Sequence, residues 1–455
     1  EKMRLKRLEE EIKERPLKEG EEKDKIIQGV IEEKVLYPLL ETKEKMRELV
    51  SEEKVLPELI EPVVRLDKEE LLQTEAPSEF KKEIEETKGE KLDVSIEFFS
   101  KDWPMYGGGL THEGFNDQEK ELRPPLREKW TFKTGGFIGA SPAIYKEIVY
   151  VGSFDRKLYA LDLHTGNKIW EFFTSGSISS TPAVVEEIVF CTSLDKKLYA
   201  LERETGKPMW MFNTNTPLNS SPAVAYNKVF VATQGGMLLA FNPLNGKVVW
   251  ETDIKSDIKS TPAICEEMLF IGGSNDVIYA FNAQNGEKIW SYKVGDSLIA
   301  SPVIYHDLVL ISTLGGVLYA FNSFSGKLAW QFSLQGSLSS SPAIAKGMGV
   351  ICSEDGKIYG IDIIKGKKRW EYNTTTKFIA APAIANEVIY VGGLDGNLYS
   401  IMLSEEKGVL TRRKYNLATI QLKLDGEIHT QPAIAYNHLL IGVSTGKLYA
   451  FTRLL

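Results

Sequence analysis

Seven tryptophans at a strict 40-residue period, prolines at the same period, and four short alternating segments in every unit predict an all-β fold. The class is an eight-bladed β-propeller of four-stranded antiparallel blades with a three-plus-one closure, preceded by a charged, partly helical N-terminal extension. The tryptophans are Trp130, Trp170, Trp210, Trp250, Trp290, Trp330 and Trp370. The prolines are Pro142, Pro182, Pro222, Pro262, Pro302, Pro342 and Pro382, and Pro432 follows after a spacing of 50, so eight inner strands are expected.

One unit reads "SGSISSTPAVVEEIVFCTSLDKKLYALERETGKPMW" and divides into "STPAVV", "EIVFCTS", "KLYALE" and "KPMWMF", separated by turns at "VEE", "LDK" and "RETG". Four strands of five or six residues in 40 positions match a propeller blade. The period-2 alternation and the Gly-rich hairpin turns "LDGN", "EDGK", "LGGV" and "STGK" exclude a helical repeat of that length. The final unit, "QPAIAYNHLLIGVSTGKLYAFTRLL", stops after its third strand, while "EKWTFKT" at Glu128–Thr134 precedes the first inner strand. That segment is expected to complete the last blade, so that no sheet edge stays open at the closure.

The stretch "ALDLHTGNKIW" looks like a site, but it recurs in blade after blade and each element has a structural role. Asp162 opens the turn by bonding its own backbone two residues on, a place held elsewhere by Glu202, Asn242, Asn282, Asn322 and Asp362. Gly166, Gly206, Gly246, Gly286, Gly326 and Gly366 supply a positive φ. The Trp fills the wedge between blades with its indole N–H on a carbonyl. His164 alternates with Glu204, Leu244, Gln284, Phe324 and Ile364, a variety no ligand position tolerates.

This A-x-D-x-x-T-G-x-x-x-W pattern resembles the tryptophan-docking motif of the quinoprotein-type (PQQ-like) eight-bladed propellers over about Trp103–Leu455, and the lead-in "DWPMYGGGLTHEGF" is similar too. The resemblance implies the fold strongly and the function weakly. The family spans PQQ-dependent alcohol dehydrogenases, BamB-like scaffolds of outer-membrane assembly, and sensor or interaction propellers. Its dehydrogenases hold the quinone with calcium, a carboxylate base and a disulfide between adjacent cysteines. Here Cys191, Cys265 and Cys352 stand far apart in apolar strands and read as free buried thiols. No Glu, Asn or Asp falls on a matching active-site motif, and units held to 40 residues leave no loops to roof a pocket. The BamB-like, non-enzymatic branch is therefore expected, with no catalytic residue, cofactor or metal.

Other enzyme classes lack their signatures, since the chain contains no GxxxxGK[ST], GxSxG or HExxH. The histidines His112, His164, His306, His429 and His438 have no metal-ligand spacing. Three residues before each proline stand Gly139, Ser179, Asn219, Lys259, Ile299, Ser339, Ile379 and His429, which are expected to wall a narrow axial channel. Asn219, Asp257, Lys259 and His429 are the candidates there for a small ligand.

Charge divides the chain. Residues 1–100 hold 29 acidic and 20 basic side chains, no Trp and three Gly, whereas the remainder holds 34 acidic and 35 basic. The neutral remainder argues against nucleic acid, which needs a concentrated basic face. The expected organisation is a charged helical arm over 1–75, a polar linker over 76–102 and the propeller over 103–455. Ile27, Val30, Ile31, Val35, Leu39 and Leu40 follow helical spacing in a region too charged for its own core, so the arm is expected to fold against a partner. Blade 7 breaks the pattern: Met402 replaces the docking Asp, Leu410 the Trp, and ten residues are added, with Arg412 and Arg413 in a basic cluster on the rim.

No apolar run approaches the ~18 residues of a membrane helix, and a cleaved signal or lipid anchor is compatible with the start "EKMRLK". Together these readings imply a protein-interaction scaffold in a multi-subunit complex, periplasmic or envelope-associated with a cytoplasmic alternative. The alternative function is a PQQ-dependent dehydrogenase or small-ligand-sensing propeller.

Overall fold

The computed structural model describes residues 102–385, 387–405 and 415–454. The arm positions Ile27, Val30, Ile31, Val35, Leu39 and Leu40, nearly all of the linker, and Arg412 and Arg413 lie outside the described residues.

Eight sheets form the ring. In blade 1 the strands run outward from the axis as Ala143–Tyr145, Ile148–Gly152, Lys157–Asp162 and Lys168–Phe173, each antiparallel to the next. Blades 2 to 6 repeat this plan and end on the outer strands Pro208–Asn213, Val248–Asp253, Lys288–Lys293, Leu328–Ser333 and Lys367–Asn373. Blade 8 takes Ala433–Ala435, His438–Gly442 and Lys447–Arg453 from the C-terminus and Leu126–Lys133 as its outer strand, so the ring closes three plus one. Middle strands such as Ile188–Thr192 are buried along their whole length, because neighbouring blades cover both faces.

Inner strands are shorter than the sequence predicts, three residues each. Proline has no N–H for the ladder, so pairing begins only after it. The residues before proline bond sideways instead, as described below.

Trp130, Trp170, Trp210, Trp250, Trp290 and Trp330 each donate the indole N–H to a carbonyl of the next blade at 2.7–3.1 Å. The ring lies on that blade's turn glycine. At Gly166, φ is +71° and an added Cβ would come within 2.6 Å of Trp130, so backbone conformation and close approach both demand glycine. Beside each of these tryptophans the outer strand carries a bulge.

Blade 7 departs from this plan. Its strands are Ala383–Ala385, Val388–Gly392, Asn397–Glu405 and Tyr415–Lys423, and the last pair keeps an unbroken register. Met402 faces Val388 as Asp162 faces Ile148, in agreement with the motif reading. The tryptophan position, however, is not Leu410. Ile420 pairs with Ser400 where Trp170 pairs with Ala160, so the added residues lengthen the outer hairpin.

The sequence carries Glu406 where the motif has its turn glycine, and among the described residues Trp370 departs from the docking role expected of it. Its indole N–H points to Met348 Sδ of its own blade at 3.0 Å, not to a carbonyl of the next. Gly360 stands where six other blades carry Ala and blade 7 carries Ser400, and a Cβ there would come within 2.1 Å of the Trp370 ring. Gly360→Ala is therefore expected to destabilise the protein by about 1–3 kcal/mol through overpacking, measured by denaturant unfolding against wild type.

The lead-in forms a strap beneath the ring. Trp103 exchanges two backbone bonds with Ile144 at 2.8 Å. The N–H groups of Val184, Ile264, Ile304, Ile344 and Ile384 donate to the carbonyls of Pro104, Leu110, Thr111, Glu113 and Gly114 at 2.7–2.9 Å. Phe115–Asn116 then pairs in parallel with Ala383–Ala385, and Asn116 Nδ2 donates to the Ile434 carbonyl at 2.8 Å. One segment thus hydrogen-bonds seven of the eight blades, and Leu110 packs against the remaining one, blade 3.

Candidate functional site

The axis is the natural place for a ligand in a ring of radial sheets. Two tiers of side chains line it. The lower tier is the residue before each proline, where the Thr181, Ser221, Thr261 and Ser301 N–H groups donate to the hydroxyls of Ser221, Thr261, Ser301 and Ser341 at 2.9–3.2 Å. Gln431 N–H donates to Ser141 Oγ across the closure at 2.9 Å. The small hydroxyl residues noted in the sequence therefore serve blade-to-blade bonding.

The upper tier contains Asn219, Lys259 and His429 among hydroxyl and apolar neighbours. Ser179 Oγ donates to Asn219 Oδ1 at 2.9 Å, and Lys259 is exposed. His429 Nε2 lies 3.0 Å from Glu427 Oε2, with its ring edge-on to Phe137 at 5.1 Å. Asp257 does not belong to this lining. It is exposed in the turn that precedes the inner strand, where its carbonyl accepts the Ser274 N–H at 2.9 Å, so its side chain lies outside the chamber wall.

The strap floors the chamber. Tyr106 OH is 3.2 Å from Ser341 Oγ and its ring packs edge-on against His112 at 5.1 Å. His112 is buried with Nδ1 2.9 Å from the Pro302 carbonyl, and burial holds its pKa down at about 4, so the ring is neutral at pH 7. Burial pushes the Glu113 carboxyl, bonded to Thr111 Oγ1 at 3.2 Å, up to about 7. A carboxyl raised in the folded state binds its proton more tightly than in the unfolded chain. Its stabilisation is present below the unfolded pKa of 4.5 and is lost as pH rises through 7. Glu113→Gln should match wild type at pH 4 and melt progressively higher than wild type as pH rises to 8, read by thermal unfolding across that range.

Outside the chamber, carboxylates hold turns together. Asp155, Asp195, Asp355 and Asp395 accept from Tyr159, Tyr199, Tyr359 and Tyr399 at 2.6–2.8 Å. Among the described residues no three His, Cys, Asp or Glu side chains come together as a metal-binding group.

A quinone held by calcium does not fit this axis. The chamber is about 190 Å³, below the roughly 300–1,000 Å³ of ligand pockets. Its lining offers Lys259 and His429 but no carboxylate for a metal or a base. Cys191 and Cys352 are fully buried, and all three cysteines are free.

Sequence reasoning missed Tyr106, Gln431 and the strap as the floor and lower wall of the chamber. Gln431 had a signal, since it replaces the hydroxyl that precedes most inner-strand prolines. The strap had only its unusual "YGGG".

The family model described as outer membrane protein assembly factor BamB matches residues 126–262, 195–313 and 274–451. The solved structure of BamB from Moraxella catarrhalis is similar with a TM-score of 0.62 at 16% identity, covering 72% of this chain and 99% of that one. A europium-containing methanol dehydrogenase gives 0.65 at 14% identity, covering 77% and 98%. A quinohemoprotein alcohol dehydrogenase from Comamonas testosteroni gives 0.66 at 12% identity, covering 77% and 80%. No curated protein matches significantly. At these identities the solved structures show the fold alone.

Proposed function

Because the chain belongs to the family described as outer membrane protein assembly factor BamB, we propose that it is a non-catalytic interaction scaffold, a structural or assembly subunit of a cell-envelope complex. The observation that carries this reading is the axis. Where a propeller of this shape would hold a substrate, the chain has a 190 Å³ chamber, floored by its own strap and lacking a carboxylate. The family description supports a periplasmic or envelope-associated place.

The arm is the proposed partner-binding element, through Ile27, Val30, Ile31, Val35, Leu39 and Leu40, with Arg412 and Arg413 as a second contact. Replacing Ile31 and Val35 with Asp is expected to release the complex from the native protein while the ring's thermal unfolding stays unchanged. Co-purification of an undiminished complex with the double variant would overturn the arm's role. A second reading, small-ligand sensing at the axis, is favoured by Gln431 Oε1 and Ser339 Oγ, buried wall atoms without a hydrogen-bond partner.

A further inference from the structure

The geometry points to the cleft between the outer strands of blades 7 and 8 as a docking site for an extended partner segment that inserts an aromatic side chain there. This deepens the scaffold reading and rests on it.

Elsewhere aromatic residues close the outer wedge between blades. Six junctions carry the Trp seal, and two residues further along each outer strand a second aromatic often packs on the next blade, as in Phe132 with Tyr159 at 5.2 Å and Phe172 with Tyr199 at 5.3 Å. At the 7/8 junction both positions are aliphatic, Ile420 and Leu422, on one face of the strand. Radial blades diverge outward, so smaller side chains leave space between them. A cleft of about 360 Å³ opens there, its wall formed by Leu126, Leu422, Leu424, Tyr449 and Phe451 with Glu128 at the lip.

Among the described residues nothing pairs with the adjoining strand on its outer side. Tyr415–Lys423 ends its sheet, spans nine residues, carries one charge and has no bulge. The other seven outer strands are shorter and interrupted beside their Trp. Bulges and charges are what keep edge strands from pairing. A long regular edge with no bulge and a single terminal charge is a template for strand addition, with the neighbouring cleft as a side-chain pocket.

The occupant is another protein. A second copy would bring Ile420 and Leu422, the same aliphatic residues that leave the cleft open. The residues preceding the described chain hold Tyr37, Phe80, Phe98 and Phe99 but no Trp, the side chain that fills this wedge at six other junctions, so a Trp-bearing partner fits the gap better than the chain's own segment. Lys423 and Asp425 also line the cleft, but Lys423 bonds the Asp395 carbonyl and Asp425 is held by Lys447 and Tyr449, so exposed Glu128 at the lip favours a Lys or Arg near the inserted aromatic.

The probe is the acetylated, amidated peptide KIWEFFTS, the sequence of residues 168–175, which carries a Trp two positions from a Lys on a strand-forming segment. Saturable binding to the full chain is expected by fluorescence anisotropy. The peptide with Trp replaced by Ala should bind at least tenfold more weakly. The variant Ile420→Trp/Leu422→Phe, which refills the wedge, should lose binding by at least tenfold while melting no lower than wild type. Absence of saturable binding, equal affinity for both peptides, or unchanged affinity in the refilled variant overturns the proposal. So does self-association that the refilled variant abolishes, which would assign the cleft to a second copy. A failed peptide test with the native complex still assembling would fell the cleft and leave the scaffold reading standing.

Discussion

A chain lacking Leu126–Lys133 is expected to lose the cooperative unfolding transition of the intact ring. That strand pairs along its length with Leu448 and its neighbours in Lys447–Arg453, from Leu126 opposite Arg453 to Lys133 opposite Lys447. Its loss exposes the third strand of blade 8 as a bare edge next to the open cleft at blade 7. It also removes Trp130, whose N–H reaches the Leu163 carbonyl at 2.7 Å and whose ring sits on Gly166. The largest apolar cluster, which joins blades 7, 8 and 1 through Tyr390, Tyr449 and Tyr159, loses one wall. Trp130→Ala, with the strand kept, isolates one part of this and should cost about 3–5 kcal/mol. Differential scanning calorimetry with size-exclusion chromatography reads both. A truncated chain that stays monomeric and melts with wild type would show that the three-plus-one closure contributes nothing.

How much of this was legible follows from what repeats. The blade count, the closing strand and the tryptophan seal could be read because the same residues return every 40 positions, and side-chain periodicity records burial directly. Where the repeat breaks, the reading failed in a definite way. Counting forward from the blade 7 strand placed the lost Trp at Leu410, whereas counting twelve residues back from Pro432, as Trp370 precedes Pro382, finds Ile420. Gly360 in place of Ala was a visible trace of the altered Trp370, unreadable without knowing that its N–H turns to Met348. Asn219, Lys259 and His429 reached the chamber because the proline fixes their phase, while Asp257 was chosen by proximity in sequence and sits in the turn. The strap was illegible for a different reason. Its contacts are mainly main-chain carbonyls accepting from inner strands far away in sequence, and such bonds place few demands on residue type.

The strap nevertheless should matter most to the ring after the closing strand. Removing residues 1–116 is expected to unfold the propeller at physiological temperature, while removing 1–101 should leave its thermal unfolding unchanged. The second deletion keeps every strap bond described above. The first strips the backbone acceptors from Ile144, Val184, Ile264, Ile304, Ile344 and Ile384, whose N–H groups would then need water beneath the ring. A buried donor left without its partner costs about 1–3 kcal/mol, and even partial hydration of six leaves a large sum against the roughly 5–15 kcal/mol by which a domain is stable. The deletion also takes Trp103 and Met105 from the core, each about 1% exposed, and uncovers the inner strands of blades 7 and 8 where Asn116 crosses between them. Blade 7 has no Trp on its own outer strand, whereas Trp370 is buried between blades 6 and 7, so the 7/8 junction depends on the strap more than any other. Circular dichroism melts of the two truncations decide the matter. Equal melting temperatures would mean that the strap rides on a ring already stable without it.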